Sequence, residues 1–477
     1  MDGRRLKIVV AGGGITGMSA AFYAVKYLAE RGAAADIVLV EKSGRLGGQI
    51  RTLYRDGFII EQGPDSFLAR KPAVLKLVRE LHLEERLAST NPDPQAKKNY
   101  ILHKGKLHEM PLGLVLGIPT ALTPFVKTGL VSPLGKLRAA MDLLLPRRKD
   151  ESDESLGGFI RRRLGKEVLD NITEPLLAGI YAGDTQSLSL QATFPQFRQI
   201  EREHRSLMIG MLAGKKSAPA AATDTPKVAR NSLFLTFDRG LSTLVERLEQ
   251  ALPMVRKLKG AGIATIGKEA DGYRLQLEDG TALQADGLIM ATPAMETARL
   301  LSDVAEAQWL NRIAYASVAN IALAYRAADV PGALDGSGFV VPQREGRLIT
   351  ACTWSSSKWP HAAPPGKVLL RTYVGRANAQ EWLNLSEEEL IAGVRADLQA
   401  TMGITAEPLF VEISRCHRSM PQYPLGHRDR LKELRARLAI EKPGLWLCGA
   451  GYEGVGIPDC IEQGRKAAEQ AVSYALS

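Results

Sequence analysis

Apolar residues follow two rhythms along this chain of 477 residues. Leu6-Lys7-Ile8-Val9-Val10-Ala11 is an almost unbroken apolar run rich in β-branched side chains. That is the pattern of a strand buried on both faces of a parallel sheet. The rhythm then turns helical, with Met18, Ala21, Val25 and Leu28 recurring on one side as far as Gly32. A second apolar run over 37–40 predicts another buried strand, which stops at Glu41. Between the first strand and the helix stands Gly12-Gly13-Gly14-Ile15-Thr16-Gly17.

Beyond the opening, the pattern predicts a helix over 73–81 and a short strand over 100–102 that turns at Lys104-Gly105-Lys106. Residues 110–146 are rich in Leu, Gly and Pro, which breaks them into short helices. Leu156, Phe159, Ile160 and Leu164 mark another helix, and one more begins at Gly240-Leu241. The stretch 217–227, dominated by Ala, Pro, Thr and Lys, cannot bury a core and reads as a mobile loop. An antiparallel pair over 272–277 and 281–285 turns at Asp279-Gly280, and a buried strand over 287–291 follows. Alternation over 316–324 and 367–374 predicts a second sheet, and 387–402 a helix.

The end of the chain returns to the opening pattern. A strand over 445–448 leads into Gly449-Ala450-Gly451-Tyr452-Glu453-Gly454 and a helix over 457–475. Too few residues remain after Gly456 for a helix plus the second strand that another adenosine site requires. This strand is therefore expected to join the first sheet. Its helix would point N-terminus first at whatever the opening binds, favouring negative charge there.

The opening is the strand, glycine turn, helix and strand unit of a dinucleotide site. Gly12 permits the tight turn, Gly14 lets the backbone approach a pyrophosphate, and Gly17 lets helix and strand pack closely. Free N–H groups at the helix start attract the diphosphate. Glu41 is placed to accept hydrogen bonds from ribose hydroxyls, and its charge disfavours a 2′-phosphate.

Composition narrows the rest. At this length two or three domains are expected, and 45% hydrophobic with 24% charged residues is ordinary for a globular protein. The net charge of +10 suits an acidic partner, but no nucleic-acid motif accompanies it. Arg161-Arg162-Arg163 and Arg147-Arg148-Lys149 read as solvated helix faces. Cys352, Cys416, Cys448 and Cys460 have neither metal spacing nor close pairing, which fits a reducing compartment. His103 and His108 read as surface residues, so no metal site is expected. The first strand leaves no room for a leader peptide, and no run of apolar residues is long enough to span a membrane. Lys127, Lys136 and Arg138 interrupt residues 110–146, leaving at most peripheral membrane contact and a cytoplasmic reading.

Two further stretches carry a family resemblance. Glu41-Lys42-Ser43-Gly44-Arg45-Leu46-Gly47-Gly48-Gln49 resembles the arginine and paired-glycine extension of the amine oxidase and phytoene desaturase flavoproteins. Phe58-Ile59-Ile60-Glu61-Gln62-Gly63-Pro64-Asp65-Ser66 resembles their turn beneath the flavin. With Met110-Pro111 to Pro119, Glu174 to Asp184 and Gly451 to Gly464, the whole chain resembles the bacterial protoporphyrinogen and coproporphyrinogen oxidases, most of all the soluble Gram-positive type.

The resemblance implies an α/β plus α+β fold: a discontinuous Rossmann-like FAD domain (1–90, 231–297, 430–477), a helical subdomain (91–185) and an inserted substrate-binding sheet domain (186–230, 298–429). It implies noncovalent FAD held by Gly12, Gly13, Gly14, Ile15, Thr16, Gly17, Glu41, Lys42, Arg45, Gly48, Gln49, Gly63, Pro64, Asp65, Ser66, Val255, Gly449, Val455, Gly456 and Ile457. Substrate contacts fall on Lys71, Arg70 and Ile180. Plant and animal relatives anchor a substrate carboxylate with an arginine near the position of Asn99, so the propionates must be held otherwise here. No protein acid, base or nucleophile is required, because the flavin takes a hydride from a bridge carbon. The implied reaction is oxygen-dependent oxidation of coproporphyrinogen III to coproporphyrin III, with hand-over to a ferrochelatase-type enzyme. Protoporphyrinogen IX oxidation, amine oxidation (which needs an aromatic cage that Tyr452 alone does not make) and non-catalytic flavin binding remain alternatives.

Overall fold

In the computed structural model, residues 6–115, 117–119, 121–216, 226–230 and 232–477 are described. The stretch 217–227, read as a loop, falls mainly outside them. Five parallel strands form the first sheet, in the order Arg256–Lys259, Ala35–Glu41, Leu6–Ala11, Gly287–Met290, Leu445–Leu447. The last strand joins this sheet, pairing in parallel with Gly287–Met290.

The opening run is apolar at nearly every position because both faces of this sheet are covered. Ile8, Val10, Ile37 and Leu39 face one core with the first and last helices, Ile15–Glu30 and Ile457–Ala475. Val9, Ala11, Val38, Val40, Leu288 and Met290 face another, under a small three-stranded antiparallel sheet. The first and last helices pack at backbone contact: a Cβ on Gly464 would lie 2.4 Å from the Thr16 carbonyl oxygen.

A seven-stranded sheet forms the second layer, running Phe410–Gln422, Ala314–Arg326, Lys367–Val374, Ile349–Trp354, Gly338–Val340, Tyr100–His103, Lys106–Glu109. Helix Glu387–Met402 sits where the periodicity puts it, opened by a Ser386/Glu389 capping box. Its Leu390, Val394 and Leu398 enter the core beneath this sheet.

Several expectations change. Tyr100–His103 and Lys106–Glu109, grouped by position with the helical stretch, edge the large sheet instead. Helices Pro195–His204 and Leu207–Lys216, grouped with the sheet, supply Phe197, Leu207 and Met208 to the helical core. Local pattern names an element but not the layer it joins. Strand Ile263–Glu269 carries little alternation in its sequence, because Gly267, Lys268 and Glu269 fill its second half. His103 is buried against Arg344 rather than on the surface. Arg163 is fully buried, donating to the Asp142 carboxylate at 2.6 Å, so this member of the arginine run faces the core while Arg161 stays exposed. By contrast Leu134, Leu137, Met141 and Leu144, on and just after helix Pro133–Ala140, are exposed.

The four cysteines are unpaired. Among the described residues no group of side chains could hold a metal, and no helix is long and apolar enough to cross a membrane. The contact between the first and last helices yields a test. Gly464→Ala should cost about 1–3 kcal/mol, the usual range for overpacking, read as a lower urea midpoint; an unchanged midpoint would show that the helices can part.

Candidate active site

The site begins where the first strand ends. Gly12 has φ +106, a conformation that side chains rarely adopt. A Cβ on Gly17 would lie 1.8 Å from the Gly12 carbonyl oxygen, and one on Gly13 would strike Leu46 and Glu41. Protein packing therefore accounts for three of the glycines. Gly14 is different. Its φ is −70, and the nearest atom to an added Cβ is the Cα of Gly48, 4.0 Å away. Nothing in the protein demands a glycine there, so the open side of Gly14 is the floor of a cradle. The adjoining helix has no side-chain cap, leaving its first N–H groups free for an anion. These residues fit a diphosphate.

A loop closes over the turn. Gly47 donates its N–H to the Gly13 carbonyl at 2.8 Å, and Gly48 lies against Gly14. Arg45 donates to the carbonyls of Leu46, Gly48 and Ile50, so its guanidinium folds this loop from within. Glu41 accepts from the N–H of Gly13 at 2.6 Å and from the N–H and hydroxyl of Ser43 at 2.8 and 2.7 Å. A carboxylate accepts about four hydrogen bonds, so capacity remains for one hydroxyl.

The turn 62–66 lies beside that loop: a Cβ on Gly63 would be 1.9 Å from the Gln49 carbonyl oxygen. The large sheet grips this turn from behind. Asn320 donates to the Gln62 carbonyl at 2.8 Å, buried Arg371 donates to the Gly63 carbonyl, and Lys358 binds Asp65 at 2.8 Å. Burial would raise the pKa of Asp65, but the Lys358 ammonium and the Arg371 guanidinium outweigh it and hold the carboxyl well below its usual range. Ser66 adds a hydrogen bond at 2.6 Å. Neighbouring Glu61 shows the opposite balance. Burial pushes its pKa up to about 7, although it accepts from the Leu241 N–H and the Thr52 hydroxyl.

The C-terminal glycine loop completes the rim. Gly449 lies beside Thr16, and Gly456 caps the last helix without a side-chain cap. Lys71 reaches across to Asp459 in the first turn of that helix, at 2.5 Å. Its charge is thus already partnered.

Most of the residues read from sequence converge here, but not all. Val255 does not reach the cradle: it is buried in the core at the start of strand Arg256–Lys259, and the far end, Lys259, registers with Glu41. Four residues of strand separate them by roughly 13 Å. The Lys42 side chain turns outward to Glu278, leaving only its backbone near the site. Arg70 is exposed beside Lys71, and the Ile180 side chain lies outside the described residues. Asn99 is exposed next to the edge strands of the large sheet. Tyr452 points into the core and bonds Thr297, so it flanks no open cage. Sequence reasoning missed Asn320, Lys358 and Arg371, which stand roughly 250–310 positions from the turn they hold and carry no local motif.

The flavin-containing amine oxidoreductase family model matches residues 15–472, from the start of the first helix through the turn 62–66 and the C-terminal loop. The chain belongs to this family. Within it this oxidoreductase groups with the porphyrinogen oxidases. It is 45% identical over 476 residues to the coproporphyrinogen III oxidase of Bacillus subtilis (strain 168), covering 100% of both chains. It is 33% identical to the protoporphyrinogen oxidase of Bos taurus, covering 98% of each. A crystal structure of an Exiguobacterium sp. 255-15 protein, provisionally a protoporphyrinogen oxidase, superposes with a TM-score of 0.85 at 35% identity, covering 98% of this chain and 99% of that one. Membership of the family carries a flavin cofactor.

The elevated pKa of Glu61 makes the fold pH-sensitive. Unfolded, Glu61 titrates near 4.5, and folded near 7, so its neutral form is favoured by folding. The stability it contributes is complete below pH 4.5 and is lost as pH rises to about 7. Chemical denaturation of wild type and Glu61→Gln should therefore diverge across that window, wild type losing stability relative to the variant. Parallel profiles would refute the shift.

Proposed function

We propose that this oxidoreductase binds FAD noncovalently and oxidises coproporphyrinogen III to coproporphyrin III with oxygen as acceptor. Full-length similarity to coproporphyrinogen III oxidases carries the reading, and the open side of Gly14 supports the cofactor assignment. Bound flavin supplies the chemistry, taking a hydride from a bridge carbon and passing electrons to oxygen.

The chain's own residues bind, orient and exclude water. In this reading the turn from Gly12 to Gly17, with Gly48 and Gln49, takes the diphosphate, and Glu41 takes a ribose hydroxyl. The turn Gly63-Pro64-Asp65-Ser66 lies beneath the ring system, held by Asn320, Arg371 and Lys358. Gly449, Val455, Gly456 and Ile457 bring the last helix to the ring, where its dipole favours the reduced, anionic form. Arg70, exposed and next to Lys71, is the freer cation for a propionate, because Lys71 must leave Asp459 to bind one. Any peripheral membrane contact belongs to the exposed stripe of Leu134, Leu137, Met141 and Leu144; L134S/L137S should then reduce sedimentation with anionic vesicles, and unchanged sedimentation would dismiss it.

Protoporphyrinogen IX is the second reading, favoured by the similarity to the bovine enzyme. Porphyrin fluorescence on both substrates, under identical salt and detergent, decides between them, since specificity is the ratio of their kcat/KM values. A higher kcat/KM on coproporphyrinogen III is expected; a clear preference for protoporphyrinogen IX reverses the assignment.

Two variants test the cofactor. Gly14→Val should fold, because an added Cβ meets nothing nearer than the Gly48 Cα at 4.0 Å, yet purify colourless; a yellow variant would remove the diphosphate from this cradle. Glu41→Ala should weaken FAD binding by about 1–3 kcal/mol, the range for charged hydrogen bonds, on titration of apoprotein.

A further inference from the structure

The loop over residues 449–456 joins the last strand of the parallel sheet to the C-terminal helix. Side chains rather than a ladder hold its backbone. One hydroxyl engages it twice: Tyr423 donates to the Ala450 carbonyl at 2.6 Å and accepts from the Gly454 N–H at 2.9 Å. His427 stacks on that ring, with centroids 4.4 Å apart, and its Nε2 lies 2.7 Å from the Tyr452 carbonyl. A carbonyl can only accept, so Nε2 carries the proton. From the other side Gln463 accepts from the Gly449 N–H at 3.1 Å and donates to the Glu453 carbonyl at 2.9 Å. Gly449 and Gly454 have φ of +130 and +96, so the loop has little conformational preference of its own. Tyr423 is 1% exposed, and both hydrogen-bonding capacities of its hydroxyl are spent on this loop.

Tyr423 also follows directly on strand Phe410–Gln422 of the large sheet. The same strand brings the Cys416 thiol to within 3.6 Å of the Gln62 carbonyl in the turn 62–66. One strand thus touches the site from two sides.

We infer that Tyr423 is a positioning residue of the redox site. Its hydroxyl closes the 449–456 loop and so fixes the direction in which the N–H groups at the start of the last helix meet the flavin. The field of a helix end fades within its first turn, so a small rotation of this loop changes the charge stabilisation that the ring receives. His427 and Gln463 hold the same loop, but only Tyr423 spans it from residue 450 to residue 454 with one atom.

This inference rests on the flavin reading above. Its test is Tyr423→Phe, which keeps the ring stacked on His427 and removes only the hydroxyl. In the holoprotein the FAD dissociation constant should rise about 5–20-fold, consistent with one or two lost hydrogen bonds. The flavin midpoint potential should fall, its absorbance spectrum should shift, and kcat should drop with KM nearly unchanged. A tyrosine that merely packs the core would lower thermal stability and leave potential, spectrum and kcat at wild-type values, which overturns the inference. If Y423F does not accumulate folded, Gln463→Asn draws back the opposite clamp on the same loop. An unchanged potential and kcat in Q463N then overturns it. A wild-type protein that binds no flavin would overturn the flavin reading and this inference together, whereas a yellow wild type with an unaltered Y423F overturns the inference alone.

Discussion

The site depends on crowding of backbone against backbone at the end of the first strand. A Cβ at Gly17 would come within 1.8 Å of the Gly12 carbonyl, and one at Gly63 within 1.9 Å of that of Gln49. Turn, covering loop and second turn are stacked at distances that only glycine permits. The stack ends at Gly14, where the protein leaves its own surface open. A site built this way gets its shape from main chain held on both sides, which leaves little ordering for a ligand to impose.

Holding main chain so closely needs support from elsewhere, and the second layer supplies it. Asn320, Arg371 and Lys358, all from elements of or beside the large sheet, fix the turn 62–66, while Tyr423 and His427 fix the C-terminal loop. Asp65 and Glu61 show how local this electrostatic setting is. Four residues apart, one carboxyl is held ionised by two cations, and burial leaves the other prone to protonation. The large sheet and the segments beside it therefore hold both the turn 62–66 and the C-terminal loop.

The helical layer closes a core of its own yet is joined to this arrangement, since Arg376 pairs with Glu174 at 2.6 Å and the Ser189 N–H donates to the Tyr423 carbonyl at 2.9 Å. Its core closes around Phe159, Phe197 and Leu207, with the Arg163–Asp142 pair buried inside. Such a pair costs desolvation that its own attraction barely offsets, and it persists because further carbonyl acceptors surround the guanidinium.

What the sequence determined by itself is everything that repeats locally. The buried run of the first strand, the glycine turn, the helix over 387–402 and the final helix follow from periods of 2 and 3.6 and from the special backbone of glycine. The family was legible for the same reason, since the cradle motifs are short and contiguous. The tertiary structure alone decided which layer residues 100–109 and the helices after Phe194 join. It placed Val255 a strand's length from the cradle and gave Lys71 a partner in Asp459, 388 positions away. It also recruited Arg371, Lys358 and Tyr423, whose roles come from where distant strands cross. A lone arginine in an apolar strand, or a lone tyrosine just past a strand's end, carries no local mark of the carbonyl it will meet, because that contact exists only after the chain has closed on itself.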